Sequence, residues 1–173
     1  MHTSWITRAE TGADVPAIRT AVATAFGRTE EADLVEALRA DAAWIDGLSI
    51  VTTEEDGTVV GHALLTRCHI GETPALCLGP VAVLPERQKT GAGSAAIRAA
   101  LTAAKDMGER FVVVLGHPTY YPRFGFSRAS RYGIGLTIDV PDEALMALAL
   151  AEADADADAL PSGTVRYAAP FGI

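Results

Sequence analysis

Residues 75–116 constrain this chain more than any other stretch. An apolar run, "ALCLGPVAVL" (75–84), enters the turn "PERQKTGAG". The segment "SAAIRAALTAAKDMG" (94–108) follows, and then "RFVVVLG" (110–116). Ile97, Ala100, Leu101 and Ala104 fall on one stripe of a helix. Arg98, Thr102, Lys105 and Asp106 fall on the other, and Gly108 is a C-terminal stop. The last run is wholly apolar, as expected of a strand covered on both faces. Strand, glycine turn, helix and strand predict a βαβ crossover. A glycine turn that opens a helix points unpaired N–H groups at the positive end of the helix dipole, so it predicts a phosphate site.

Two familiar phosphate sites fail here. "GAGSAA" (91–96) matches G-x-G-x-x-G/A. A dinucleotide fold needs those glycines directly after the strand, and an acid at the end of the next strand to hold the ribose. Instead "PERQKT" intervenes, and the next strand ends in Leu115-Gly116-His117. The nucleotide-triphosphate loop also fails, because no G-K-[ST] follows.

The rest of the chain predicts an α+β protein with mixed αβα layers, in one domain over 1–173. "SWITRAE" (4–10) reads as an opening strand. "ADVPAIRTAVATAFG" (13–27) reads as a helix with Asp14 as N-cap and Ile18, Val22 and Phe26 inward. "TEEADLVEALRAD" (29–41) is a second helix, with Thr29 as cap and Leu34, Val35 and Leu38 inward. Strands at 48–55 and 58–70 flank Asp56-Gly57, a tight-hairpin pair. A turn in "HIGETPAL" that pairs Ile70 with Ala75 would set Cys68 opposite Cys77. "HPTYYPRFGF" (117–126) suits a short helix or turn before a strand. "YGIGLTIDV" (132–140) and "GTVRYA" (163–168) read as closing strands. Between them, "DEALMALALAEADADADAL" begins as a helix and passes into a solvated Ala/Asp tract.

The 173 residues carry a net charge of −8, with 49% apolar side chains. That predicts a globular chain and argues against sequence-blind nucleic-acid binding, which needs a basic face. The longest apolar run, "ALMALALA" (144–151), is far short of the ~20 residues that span a bilayer. "MHTSWITRAE" lacks the apolar core of a signal peptide. A cytoplasmic protein with reduced cysteines and no membrane partner is expected. A zinc site from His62, His69, Cys68 and Cys77 is not expected, since Cys68 and His69 point to opposite faces and no C-x-x-C exists.

Gln88-x-x-Gly91-x-Gly93, after a strand ending "AVLP" and before a helix, resembles motif A of the GCN5-related N-acetyltransferases (GNAT). Pro80 inside the preceding strand and "YYPRFGF" beyond the next one fit the same family. The wording over residues 76–127 looks most like its YhbS-type subgroup. The resemblance implies a central mixed, mostly antiparallel sheet of about six to seven strands with helices on both faces. It also implies a splay between the strands near 75–84 and 110–116. It implies acetyl-CoA as co-substrate, with no metal. Its pyrophosphate would lie on backbone N–H groups of Gln88, Lys89, Thr90, Gly91, Ala92, Gly93 and Ser94, and its pantetheine arm against Val81, Ala82 and Val83. Position 89 is often glycine in this family and position 92 often Ile or Val; here they are lysine and alanine.

The implied chemistry is acetyl transfer to a primary amine of a small molecule or a protein. Tyr121, five residues before Phe126, is the implied acid for the departing thiolate, and Tyr120 is the rival tyrosine. His117, at the C-terminal end of the apolar strand, is a candidate base. Glu30 and Glu31 at a helix start read first as dipole compensation. Arg87 and Arg123 read first as solvated surface and second as phosphate contacts. The alternative function is a non-catalytic acyl-CoA-binding module, and a homodimer is left open.

Overall fold

The computed structural model of the chain describes residues 5–150 and 160–173. Strand β1 (Ile6–Ala9) is followed by helices α1 (Val15–Phe26) and α2 (Glu30–Arg39). Strands β2 (Ser49–Thr53), β3 (Val59–Ile70), β4 (Thr73–Leu78) and β5 (Ala82–Val83) come next. Helix α3 (Ala92–Asp106) leads to β6 (Phe111–Leu115). Short strands β7 (Ser127–Arg128), β8 (Ile134–Gly135), β9 (Leu145–Ala149) and β10 (Gly163–Arg166) complete the order.

The sheet runs β1-β2-β3-β4-β6-β9-β7, with β5 and β10 also on β3 and β8 on β10. All pairs are antiparallel except β4–β6 and β8–β10, which gives the mixed, mostly antiparallel sheet expected. The long β3 carries two partners in turn: Leu65–Ile70 pair with β4, and Gly61 and His62 pair with β5. Alternation along β3 sends Ala63 and Leu65 to one face, where Ile97, Ala100 and Leu101 of α3 cover them. Leu64 points to the other face, against Ile18 and Val22 of α1 and Val35 and Leu38 of α2. The predicted α3 stripe is buried as read.

Several expectations need correction. The β3–β4 turn is tighter than read. Gly71 takes φ +59°, so Ile70 faces Thr73, Cys68 faces Ala75, and Cys77 faces Thr66. The two cysteines are thus diagonal neighbours, both buried and free. Of the helix expected from Asp142 onward, Asp142–Ala144 form one 3-10 turn and Leu145–Ala149 are strand β9, with all five residues paired to β6 and two of them also to β7. Sheet pairing overrides the Leu/Ala helix preference there. The Ala/Asp tract lies outside the described residues. Of "YGIGLTIDV" only Ile134–Gly135 pair, beside Gly133 at φ +74°. Phe26 is exposed rather than inward. Asp14 stands at the start of α1 without a side-chain cap bond. Its carboxylate binds Arg8 at 2.6 and 2.9 Å and the Thr11 N–H at 2.7 Å.

A polar chain lies under the α1–α2 face. Arg39 donates to Glu10, the Ser49 hydroxyl donates to Glu10 at 2.5 Å, and Ser49 Oγ meets His62 Nε2 at 2.8 Å. A hydroxyl that donates to Glu10 accepts from His62, so the imidazole proton sits on Nε2. Nδ1 is buried without a partner. Burial pushes the imidazole down to about 4, against the raising influence of Glu10. The unfolded chain therefore binds a proton near pH 6.5 that the native state refuses until about pH 4. Stability is expected to fall through that window by up to about 1.4 kcal/mol per pH unit from this group. Urea midpoints measured from pH 7 to pH 4.5 check this, and the His62→Gln variant should show a shallower slope.

Candidate active site

Two cavities adjoin the point where the sheet opens. β4 and β6 pair only at Leu76–Val112 and Cys77–Val113. Gly79 N–H still reaches Leu64 O at 2.7 Å, Pro80 has no N–H, and Leu84 N–H returns to Val60 O at 2.9 Å. β4 and β5 are thus one strand with a bulge at 79–81, and β6 does not follow it past the bulge. Leu84 N–H faces β3, so alternation turns the Val83 amide away from β3, toward the gap. Val83 O accepts the Gln88 side-chain amide at 3.2 Å.

The first cavity, about 440 Å³, lies over the glycine turn. Gln88, Lys89, Gly91, Ala92, Gly93 and Ser94 line it, together with Val83. Gly91 is the N-cap of α3 at φ +89°. The N–H groups of Ala92, Gly93 and Ser94 precede the first intrahelical bond, Ala95 N–H to Gly91 O, and so lie free for an anion. A Cβ on Gly93 would meet Val83 Cγ2 at 3.1 Å, so glycine lets the helix start close to the strand. Lys89 is the one non-glycine among the described residues with positive φ, +64°. It stands where the family often has glycine, and the turn keeps that conformation with a side chain in place. Ala92 is buried, and its carbonyl accepts the Thr52 hydroxyl at 2.9 Å.

Thr90 does not share that wall. Its carbonyl accepts the Trp5 indole N–H at 3.0 Å, and its hydroxyl donates to Arg87 O at 2.5 Å. It shapes the turn rather than facing the cavity. Arg87 and Arg123, read from sequence first as surface, stand on the cavity wall beside Lys89. Among the described residues three cations and no carboxylate line this cavity, although the chain as a whole is acidic; Arg87 also pairs with Glu54 at 3.3 Å. No local pattern marks Arg87 or Arg123, because their convergence depends on the fold. Tyr120 bonds Ser94 Oγ at 2.9 Å and lies under the Arg123 guanidinium at 4.4 Å.

The second cavity, about 590 Å³, opens between the splayed strands and α1–α2. Val81, His117 and Tyr121 line it, and so does Glu31. Adjacent Tyr120 and Tyr121 thus face different cavities, with rings 5.1 Å apart and edge to face. A Cβ on Gly116 would overlap the Tyr121 ring, so glycine there admits the tyrosine. Burial, reinforced by Tyr120, pushes the Tyr121 phenol up to about 12. Glu31 is more than a dipole partner: it reaches the cleft while Arg28 holds it at 2.9 and 2.5 Å, which keeps its carboxyl below the usual range. Ala82 is buried among α1–α2 residues and faces neither cavity. No set of three His, Cys, Asp or Glu among the described residues could hold a metal ion. Sequence reasoning missed Phe26, Tyr167 and Phe171, which also line the second cavity.

Known proteins share this arrangement. A family model described as "Acetyltransferase (GNAT) family" matches residues 16–126. The chain is 41% identical over 135 residues to an uncharacterized N-acetyltransferase, YjhQ, of Escherichia coli K12, covering 75% of this chain and 74% of that protein. The crystal structure of Escherichia coli YhbS in complex with CoA superposes with a TM-score of 0.89 at 26% identity, over 100% of this chain and 97% of that one. A Brucella melitensis GNAT acetyltransferase in complex with acetyl-CoA superposes with a TM-score of 0.78 at 33% identity, over 98% and 99%. With the family model matched over residues 16–126 and 41% identity to YjhQ, the chain belongs to the GNAT acetyltransferase family.

Proposed function

We propose that residues 1–173 form one N-acetyltransferase domain that moves an acetyl group from acetyl-CoA to a primary amine by direct attack. The observation that carries this reading is the pair of cavities, one lined by Val83 and Tyr120 and the other by the neighbouring Val81 and Tyr121. One is cationic, with free helix amides, and suits a pyrophosphate. The other holds a protonated phenol and suits a reacting thioester. Acetyl-CoA supplies an activated acyl carbon: a C–N bond forms there, the C–S bond breaks, nitrogen loses a proton and sulfur gains one.

The chain's own groups divide that work. The amides of Lys89 and Gly91 to Ser94, with the side chains of Arg87, Lys89 and Arg123, hold the pyrophosphate. Gln88, with its N–H 3.4 Å from Pro85 O and its side-chain amide on Val83 O, lines the cavity and ties the turn to the strand. Backbone groups at Val81 to Val83 pair with the pantetheine arm, and the Val83 N–H polarises the carbonyl. Tyr121 gives its proton to the departing sulfur. His117, exposed at the cleft, takes the amine proton directly or through water.

Tyr121→Phe is expected to lower kcat about 100-fold with little change in the KM for acetyl-CoA, measured by thiol release. The phenol stays protonated until about pH 12. Wild-type kcat should therefore rise with amine deprotonation and show no falling limb up to pH 10. An unchanged Tyr121→Phe rate would remove the acid role. His117→Ala should cost about tenfold near pH 7 and less near pH 9, where bulk water deprotonates more of the amine.

Lys89→Gly tests the turn. Releasing a side chain from the left-handed region should stabilise the free protein by about 1 kcal/mol. Losing the cation should weaken CoA binding about threefold, and less in high salt. Thermal melts and titration calorimetry read the two effects separately.

A further inference from the structure

The acceptor side of the second cavity is built against charge. Among the described residues six large hydrophobic side chains are exposed, and three of them, Phe26 at 40%, Leu115 at 40% and Ile173 at 44%, converge on this one cleft. Leu34, Tyr167 and Phe171 complete an apolar wall. The Tyr167 and Phe171 rings lie 5.1 Å apart, and Phe171 packs both on the α1–α2 cluster and on the cluster under β10. Phe171 therefore links the α1–α2 cluster and the β10 cluster along one wall of the cleft. The volume of the cleft lies in the range of small-ligand sites.

The polar inventory is equally narrow. Glu31 is the only acidic side chain among the described residues on the wall, and Arg28 already engages both of its oxygens. Glu30, the next nearest acid on α2, also lies against Arg28, at 3.4 Å. A polyamine or an aminoglycoside would bring several ammonium groups to a wall with one neutralised acid, and those charges would be desolvated without partners. A single amine on an apolar body meets no such penalty. An apolar wall also disfavours the ammonium form, so the same surface that holds the body promotes the neutral, nucleophilic amine.

We infer, resting on the acetyl-transfer reading above, that the acceptor is a small primary amine on an uncharged, apolar body of about ring size. Phe26, Leu34 and Phe171 grip the body, and the amine points toward Tyr121 and His117. Phe26 and Leu34 are specificity-determining residues. Neither is fully buried in the fold.

The test is a panel of acceptors with saturating acetyl-CoA at about pH 8, where part of an alkylamine is neutral. Phenylethylamine, hexylamine, spermidine and a lysine-containing peptide are compared by thiol release and by product mass. Phenylethylamine is expected to exceed spermidine in kcat/KM by at least about tenfold. Phe26→Ala should remove most of that margin through KM, with kcat kept. Leu34→Glu, which adds an unpaired carboxylate, should narrow the margin or reverse it. Equal or better turnover of spermidine or the peptide by the wild-type protein overturns the apolar-amine class and leaves acetyl transfer standing. Margins unchanged in both variants overturn the assignment of Phe26 and Leu34. Thermal stabilisation by CoA with no acceptor turned over overturns the acetyl-transfer reading itself, and the acceptor class with it.

Discussion

The site depends on a hydrogen bond that cannot form. Pro80 has no N–H to give, and it stands where a central strand would need one. Gly79 makes the last regular bond to β3 before the break, and pairing resumes at Ala82 opposite His62. Between them the strand bulges, while β6 runs straight on to Leu115. A gap results with backbone groups on one side and the aromatic turn at Tyr120–Phe126 on the other. The same break turns the chain so that Gly91 starts α3 beneath Val83. Sheet edge, anion turn and cleft are thus consequences of one missing donor.

The break also separates two electrostatic environments within a short distance. The cavity over the α3 N-terminus gathers Arg87, Lys89 and Arg123 with free amides. The cleft beyond Val81 is almost wholly apolar. Val83 and Val81, two residues apart on one strand, face different cavities, as Tyr120 and Tyr121 do across the gap. A ligand with a charged end and a reactive end would meet both environments without a change of direction. An acidic chain can bind an anion in this way because the relevant field is local and is set by a few close groups.

Much of this was legible in sequence wherever the cause was local. The α3 stripe, the turn glycines and Pro80 carry their structural meaning within a few residues. They carried the family resemblance, and the resemblance implied the splay. Where placement depended on distant partners, the reading failed. Leu145–Ala149 has a helix-forming composition, and only β6 and β7 make it a strand. The β3–β4 register turned on Gly71 adopting a left-handed conformation. In sequence Arg87, Arg123 and Glu31 read first as ordinary surface residues, and Phe26 as part of the inward stripe of α1. They become walls only when α1, α2 and the aromatic turn close around the split strand. Thr90 holds the turn from within: its carbonyl and hydroxyl bond to Trp5 and Arg87, while the ligand contact expected of it was its backbone N–H.

The Trp5 indole spans 85 positions of sequence to reach Thr90 O. It stands just before β1, an edge strand that pairs only with β2. Anything that orders the turn must therefore tighten the edge of the sheet, and fraying of that edge must loosen the turn by the same free energy. Amide protons of Ile6 to Ala9, remote from any bound anion, would then exchange more slowly when the turn is filled. The outermost strand serves as a strain gauge for the centre of the molecule.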